Sequence, residues 1–197
     1  MFSAISEQTK SAATPGRLVS LGPQHGDALE TFLSEFDADL HELQGYFCGR
    51  GASIEQAVGL LDAWSQGERL AETSVRGELV AQDWVQNSTW FWEVDGTLRA
   101  VINLRHRLTP LLEQDGGHIG YAVASSHRQQ GIATAMLGSV LGQCRGLGIQ
   151  RTLLICASDN LASIRTIEKH GGVLDGEGQS QFSQGKQRWY WIDLSRT

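Results

Sequence analysis

The spacing of apolar residues divides the chain into segments of strand and of helix character. RLVSLG, residues 17–22, alternates apolar and small residues and ends at a Gly-Pro pair, which predicts a first strand. Residues 27–40 carry apolar side chains at helical spacing with acidic residues between them, which predicts a helix. Ser53 and Gln56 have the form of a capping box, so a second helix is expected over residues 53–64.

The second half of the chain is richer in strands. TWFWEVDGTLRAVINLRHRLT, residues 89–109, is two apolar runs separated by Asp-Gly, a strong signal for a β-hairpin. After a loop that contains Pro and Gly, the remaining elements are a strand over 117–124, a helix from Ile132 to about Gly146, a buried strand over 151–157, a helix over about 160–170 and a strand over 188–194. The apolar face of the longer helix comprises Ile132, Met136, Leu137, Val140, Leu141, Cys144 and Leu147.

The order of these elements predicts an α/β (α+β) fold. Strand, two helices, three strands, helix, strand, helix and one or two final strands indicate a mixed, mostly antiparallel twisted sheet flanked by helices, with at least one right-handed strand-helix-strand crossover. A length of 197 residues suits one domain over residues 17–197, preceded by a flexible tail over residues 1–16.

Composition and charge narrow the function classes. With 41% hydrophobic and 19% charged residues and no apolar run of about 18, we expect a soluble cytoplasmic protein without a membrane span. Three widely spaced cysteines fit reduced thiols better than a disulfide framework or a zinc pattern. The formal net charge of −6 argues against general nucleic-acid binding and favours a cationic substrate such as an amine.

HRQQGIAT, residues 127–134, is the main candidate for ligand binding. It lies between a strand ending at Ala124 and a helix beginning at Ile132, so its backbone N–H groups meet the positive end of a helix dipole. Gly131 lets the backbone approach an anion closely, and Arg128 adds a charged donor. Neither common nucleotide fingerprint is present, and a plain strand-to-helix turn fits the stretch equally well.

The same residues carry a family resemblance. RQQGIA, residues 128–133, resembles the Arg/Gln-x-x-Gly-x-Gly/Ala signature of the GNAT (GCN5-related) N-acetyltransferases. GHIGYAV, ICASDNLASIRTIEKHGG and RWYWIDL are similar to the corresponding segments, so the resemblance covers roughly residues 89–194. WFWEVDG, LRHRL, GGHIGY and RWYWI together resemble a group of uncharacterised bacterial GNAT proteins. Residues 1–88 are similar to the family only in the order of their elements.

The resemblance implies an acetyl-coenzyme A site. In that family the pantetheine arm lies beside a splayed strand, here Tyr121, Ala122 and Val123. The pyrophosphate is expected on Arg128, Gln129, Gln130, Gly131, Ile132, Ala133 and Thr134. Asn160 matches a position that often contacts coenzyme A, with Ser163 one turn on, although Asn is also favoured there as a helix cap.

The resemblance also implies a catalytic arrangement, with a backbone N–H near Val123 as the donor to the carbonyl oxygen. Many relatives have Glu-Ile-Gly-Tyr where this chain has His118-Ile-Gly-Tyr, so His118 is a candidate base. An equal alternative is that His118 only hydrogen-bonds the preceding Gly-rich loop. His106 is a second candidate, and Glu113 is a weaker third one.

The expected acid position departs from the family pattern. Many GNAT enzymes have a Tyr seven residues after the Asn, where this chain has Ile167. We expect Cys156 to be a packing residue and not a covalent nucleophile. The resemblance implies direct transfer from acetyl-CoA to a primary amine of a small molecule, without a metal. Acetylation of a protein N-terminus or lysine, non-catalytic acetyl-CoA binding, and a homodimer stay open.

Overall fold

The structure is a computed structural model that describes residues 16–36, 53–68, 85–180 and 185–195. The predicted N-terminal tail, the end of the first predicted helix near Leu40, and Cys48 lie outside the described residues. Within them, no helix has the length and apolar character needed to cross a bilayer.

Four strands form the first sheet, in the order β1-β2-β3-β4 with every pairing antiparallel: β1 Arg17–Val19, β2 Asn87–Val94, β3 Thr97–Arg105 and β4 Ile119–Val123. The predicted hairpin of β2 and β3 is confirmed. Its turn residues Asp95 and Gly96 have φ values of 49° and 75°, and a two-residue hairpin turn with two positive φ angles matches the right-handed twist of the strands.

Three strands form the second sheet, in the order β5-β7-β6 and again antiparallel: β5 Arg151–Ala157, β6 Val173–Gln179 and β7 Lys186–Asp193. The strand predicted over 151–157 is confirmed with its bounds. β6 received no assignment of its own from the sequence, because VLDGEGQ carries two glycines and its apolar residues Val173 and Leu174 are exposed.

Five α-helices lie in the described fold, beside two short 3-10 helices: α1 Gly26–Ser34, α2 Ile54–Ser65, α3 Pro110–Gln114, α4 Ile132–Gly146 and α5 Leu161–Lys169. The capping box of α2 is confirmed, since Ser53 Oγ accepts the N–H of Gln56 and Gln56 Oε1 accepts the N–H of Ser53. α4 ends where Gly148 adopts a φ of 74°, a left-handed conformation that suits glycine.

Several predicted bounds were wrong. β1 ends at Val19 and not at residue 22, and β3 ends at Arg105, four residues before the predicted end. The predicted loop after β3 contains α3, which begins with a proline and is capped by Thr109. Leu147 was predicted on the apolar face of α4, but it lies just beyond the helix and is 49% exposed.

The first sheet is buried on both faces by different helices. Successive side chains of a strand point to opposite faces. Val101 of β3 therefore packs in the cluster with α1 and α2, whereas Ala100 and Ile102 pack in the cluster with α4 and α5. Four buried residues of β5 and β7 join the second cluster: Leu154, Cys156, Tyr190 and Ile192. The core is thus continuous beneath both sheets.

Candidate functional site

In the described part of the chain, backbone hydrogen bonds connect the two sheets at one place, a joint at the start of β4. The backbone N–H of His118 donates to the carbonyl oxygen of Leu153 at 2.8 Å, and the N–H of Leu153 donates to Nδ1 of His118 at 3.0 Å. Beyond this joint, in the described residues, β4 pairs only with β3 and β5 pairs only with β7. The two strands therefore diverge and leave a gap between their facing edges.

The hydrogen-bond pattern of β4 shows which backbone groups face the gap. Arg105 N–H donates to His118 O at 2.8 Å, and Ala124 N–H donates to Arg99 O at 2.9 Å. Because bonded pairs alternate along an antiparallel ladder, Ala122 also points its backbone groups toward β3. Tyr121 and Val123 point theirs toward the gap. Of the three residues expected to pair with a pantetheine arm, Ala122 is therefore turned the other way.

β5 presents a matching edge from the opposite side. Ser158 N–H donates to Lys186 O at 2.9 Å, which fixes the alternation between β5 and β7. Ile155 and Ala157 consequently direct their backbone groups away from β7 and toward the gap. Two strand edges that face each other without pairing can both pair with an extended chain of amide groups.

The predicted anion-binding turn lies at the open end of this gap, between β4 and α4. Gly131 and Gln129 have positive φ angles of 79° and 61°. The N–H of Ala135 donates to Gly131 O at 3.0 Å, so the preceding N–H groups of the first turn have no partner within the helix. These orphan donors and the positive end of a 15-residue helix form a site for a phosphate group.

The side chains of the turn extend this arrangement. Arg128 is exposed, and its Nε donates to Val123 O at 3.2 Å, which links the turn to the gap-facing edge of β4. Gln130 Nε2 donates to Ser126 O at 3.3 Å within the turn. The Cβ of a larger residue at Gly131 would meet no protein atom within 4 Å. The space above Gly131 is thus open to a ligand.

Glu35 holds the turn from the other side, and no local pattern in the sequence predicts this contact. Its carboxylate accepts the N–H of Ser126 at 3.0 Å, and His127 Nε2 lies 3.9 Å from its other oxygen. Burial raises the pKa of Glu35, but the hydrogen bonds from Ser126 and the nearby His127 outweigh it and hold the pKa below its usual value. The end of α1 is therefore tied to a segment 91 residues away.

Polar side chains meet where β4, β5 and α5 approach one another. Asn160 Oδ1 accepts the N–H of Ser163 at 3.0 Å, so its alternative role as a helix cap is confirmed. The hydroxyl groups of Tyr121 and Ser163 are 2.9 Å apart, which joins β4 to the first turn of α5. Cys156 of β5 lies beside the same Ser163 side chain.

The other residues of this region are unsuited to proton transfer or covalent chemistry. Burial raises the pKa of the Cys156 thiol, so the thiolate needed for nucleophilic attack is disfavoured. Ile167, at the position where a Tyr was expected, is 1% exposed and packs in the core. In the described part of the chain, no group of three or more His, Cys, Asp or Glu residues is arranged to hold a metal ion.

His118 is buried at the joint, and its surroundings favour the neutral ring. Burial and then the charge of Arg105 lower its pKa to about 4. The Gly-rich loop before it is held by Arg105, whose Nη1 donates to the carbonyls of Gly116 and Gly117 at 3.1 and 3.2 Å. The alternative that His118 hydrogen-bonds this loop is thus wrong, because the imidazole bonds the N–H of Leu153 on β5 instead.

The other predicted base candidates lie away from the gap. His106 directly follows β3 and is half-buried, with Nε2 at 2.9 Å from Ser88 Oγ, and burial lowers its pKa. The N–H of Arg105 bonds His118, so the next residue, His106, lies near the joint. Val123 is five residues beyond His118 along β4, which places it about 17 Å from the joint at ~3.3 Å per residue. Glu113 is exposed on α3.

A splayed pair of strands ending in an anion-binding turn matches the acetyl-coenzyme A site that the GNAT resemblance implies. The acetyltransferase (GNAT) family matches residues 33–172 of the chain. The protein therefore belongs to the GNAT family of acetyltransferases, as an acetyl-CoA-dependent enzyme. A search of curated proteins found no match.

Solved structures agree on the fold. The ribosomal L7/L12 alpha-N-protein acetyltransferase RimL, in complex with coenzyme A, is 16% identical, with a TM-score of 0.64 and coverage of 94% of this chain and 97% of that one. A GNAT acetyltransferase from Streptococcus pneumoniae is 14% identical, with a TM-score of 0.58 and coverage of 91% and 99%. The yncA protein from Salmonella typhimurium, with its cofactor acetyl-CoA, is 13% identical, with a TM-score of 0.57 and coverage of 93% and 95%.

Proposed function

We propose that this protein transfers the acetyl group of acetyl-CoA to the primary amine of a small molecule. The observation that carries the proposal is the gap between β4 and β5, which has backbone edges on both sides and an anion-binding turn at its open end. An acyl carrier with amide groups along its arm and a diphosphate at its end has the same order of features. The residues present therefore fit acetyl-CoA.

We assign the carrier's arm to the gap-facing backbone groups of Tyr121 and Val123, because the alternation along β4 turns them away from β3. Asn160 and Ser163 border the gap from α5. The diphosphate is assigned to the turn and the first turn of α4, comprising Arg128, Gln129, Gln130, Gly131, Ile132, Ala133 and Thr134. Their N–H groups and the Arg128 charge favour an anion there.

Bound acetyl-CoA supplies an acetyl group activated as a thioester. The N–H of Val123 faces the gap, and we assign it as the donor to the carbonyl oxygen, where negative charge grows during attack. The amine attacks directly, since the raised pKa of Cys156 argues against a covalent acetyl-enzyme. We assign the Tyr121 and Ser163 hydroxyl pair to stabilise the leaving thiolate in place of the Tyr that this chain lacks.

For deprotonation of the amine, His106 is the candidate whose ring keeps an accepting nitrogen. When Nε2 donates to Ser88, Nδ1 is the acceptor, and among the described residues it has no hydrogen-bond partner. The lowered pKa keeps this ring neutral at pH 7. Because Val123 is about 17 Å further along β4, His106 would reach the amine only through a chain of several water molecules.

A thiol-release assay tests the proposal. Purified protein is incubated with acetyl-CoA and a panel that contains small primary amines, polyamines, and peptides with a free N-terminus or a lysine. The net charge of −6 favours cationic acceptors, so we expect turnover with at least one small amine. Turnover with peptides alone would replace the small molecule by a protein acceptor. Cofactor binding without any turnover would contradict the proposal and indicate a non-catalytic binder.

A further inference from the structure

We propose that His118 is a positioning residue whose imidazole locks β4 to β5 at the joint and so sets the width of the gap. The inference rests on the proposed function, because it assumes that the gap holds the arm of acetyl-CoA. It differs from the expectation that His118 removes a proton from the acceptor amine.

The imidazole substitutes for a backbone carbonyl at the joint. Leu153 directs both its N–H and its C=O toward β4, and His118 satisfies the C=O with its own N–H. The carbonyl of His118 is turned toward β3, where it accepts the N–H of Arg105 at 2.8 Å, so it does not face the N–H of Leu153. Nδ1 of the side chain takes the Leu153 N–H instead, at 3.0 Å. Without that nitrogen, a buried backbone donor would lose its acceptor.

The residue before His118 shows that this close approach is specific to the sequence. Gly117 has a φ of 63°, and a Cβ at this position would lie 2.5 Å from the carbonyl oxygen of Leu153. Any other residue would push β5 away from the joint. Arg105 fixes the turn by donating to the carbonyls of Gly116 and Gly117. The His118 imidazole, the absence of a side chain at Gly117 and the hydrogen bonds from Arg105 therefore all stabilise the same contact between the sheets.

The same contact removes His118 from the list of bases. Since Nδ1 accepts a hydrogen bond from Leu153, the ring proton of the neutral form is on Nε2, and no accepting nitrogen remains. The groups that face the ring are the Arg105 charge and the Trp191 indole, whose ring centroid is 6.3 Å from that of His118. The Arg151 guanidinium stacks on the Trp191 ring, 4.6 Å from its centroid. This environment disfavours the imidazolium.

Three substitutions separate the two roles. The amide oxygen of Asn can occupy the place of Nδ1, whereas Gln carries its amide near the place of Nε2. We expect His118→Asn to keep coenzyme A affinity within about threefold. His118→Ala and His118→Gln should weaken it about tenfold or more, the scale of one lost hydrogen bond. Hydrogen exchange of the Leu153 amide, measured by NMR, should accelerate in the Ala and Gln variants and stay slow in the Asn variant.

The outcomes are distinct. Rescue of activity and affinity by Gln but not by Asn would overturn the inference. An activity loss in His118→Asn at unchanged coenzyme A affinity, with the acidic limb missing from its pH profile, would also overturn it. So would unchanged Leu153 exchange and affinity in folded His118→Ala. If the wild type fails to bind acetyl-CoA, the proposed function fails, and the exchange measurement still reports whether the lock exists. If His118→Ala does not fold, the comparison of Asn with Gln decides.

Discussion

Gly131 offers the sharpest test of the diphosphate site, through the substitution Gly131→Leu. Gly131 precedes α4 with a φ of 79°, and a Cβ built there meets no protein atom within 4 Å. A larger side chain therefore has room in the free protein. It would project into the space that we assign to the diphosphate, so the effect on binding should exceed the effect on folding.

The two magnitudes can be separated. A non-glycine residue in the left-handed region costs about 1–2 kcal/mol, which is the expected loss in the free energy of unfolding. Displacing the diphosphate from two N–H donors would lose two hydrogen bonds to a charged group, at about 1.5–3 kcal/mol each. The sum of about 3–6 kcal/mol corresponds to a loss of roughly 10²- to 10⁴-fold in coenzyme A affinity.

Isothermal titration with coenzyme A and urea unfolding measure the two effects on the same variant. Gly142→Leu is the matched control, because Gly142 lies within α4 and its Cβ also meets nothing within 4 Å. It should bind coenzyme A normally and gain up to about 1 kcal/mol of stability from helix propensity. A Gly131→Leu variant that is folded and binds coenzyme A as tightly as the wild type would refute the assignment of the site.

Three further predictions concern the gap and the joint. Tyr121→Phe removes the hydroxyl that contacts Ser163. This variant should have a kcat about tenfold lower or more, with the KM for acetyl-CoA changed less than threefold. An unchanged kcat would show that the hydroxyl pair has no part in the mechanism. Cys156→Ala should keep at least a third of the wild-type kcat, and mass spectrometry of the wild type under turnover should find no acetylated Cys156; loss of activity together with such an adduct would contradict direct transfer. The pKa of His118 is about 4 in the folded protein, below its value of ~6.5 in the unfolded chain, so the unfolded chain binds more protons between these pH values. The free energy of unfolding should therefore fall by up to about 3 kcal/mol as the pH drops from 6.5 to 4. Urea titrations across this range should show a smaller fall in His118→Asn, and equal curves for the two proteins would contradict a buried neutral imidazole.

Local patterns in the sequence were sufficient for most elements of the fold. The Asp95-Gly96 turn, the Ser53 capping box and the glycine after α4 each act over a few residues, so their structural consequences follow from short-range geometry. β6 is different. Its pairing with β7 brings Val173 opposite Trp191, and no alternation within VLDGEGQ reveals a strand whose side chains are mostly exposed.

The candidate site likewise has a part that depends on local sequence and a part that depends on long-range contacts. The turn with Gly131 is local and could be predicted, because a strand, a glycine and a helix start are adjacent in sequence. The contact of Glu35 with Ser126 spans 91 residues and depends on how α1 packs against the first sheet. The bond of His118 to Leu153 spans 35 residues, and it changes the interpretation of the histidine from a base to a structural acceptor. Residue type alone could not decide between those roles.

The divergence of β4 and β5 explains why a side chain, and not a backbone carbonyl, closes the joint. A continuous ladder between the two strands would satisfy the edges of both and leave no place for a bound amide chain. With no contact at all, the distance between the edges would not be fixed. One residue that bonds β3 with its carbonyl and β5 with its imidazole fixes that distance at one end, while β4 stays free of β5 beyond it. The resemblance leads us to expect a Glu at position 118. The His found there need not act as a proton acceptor, since its geometry serves the shape of the gap.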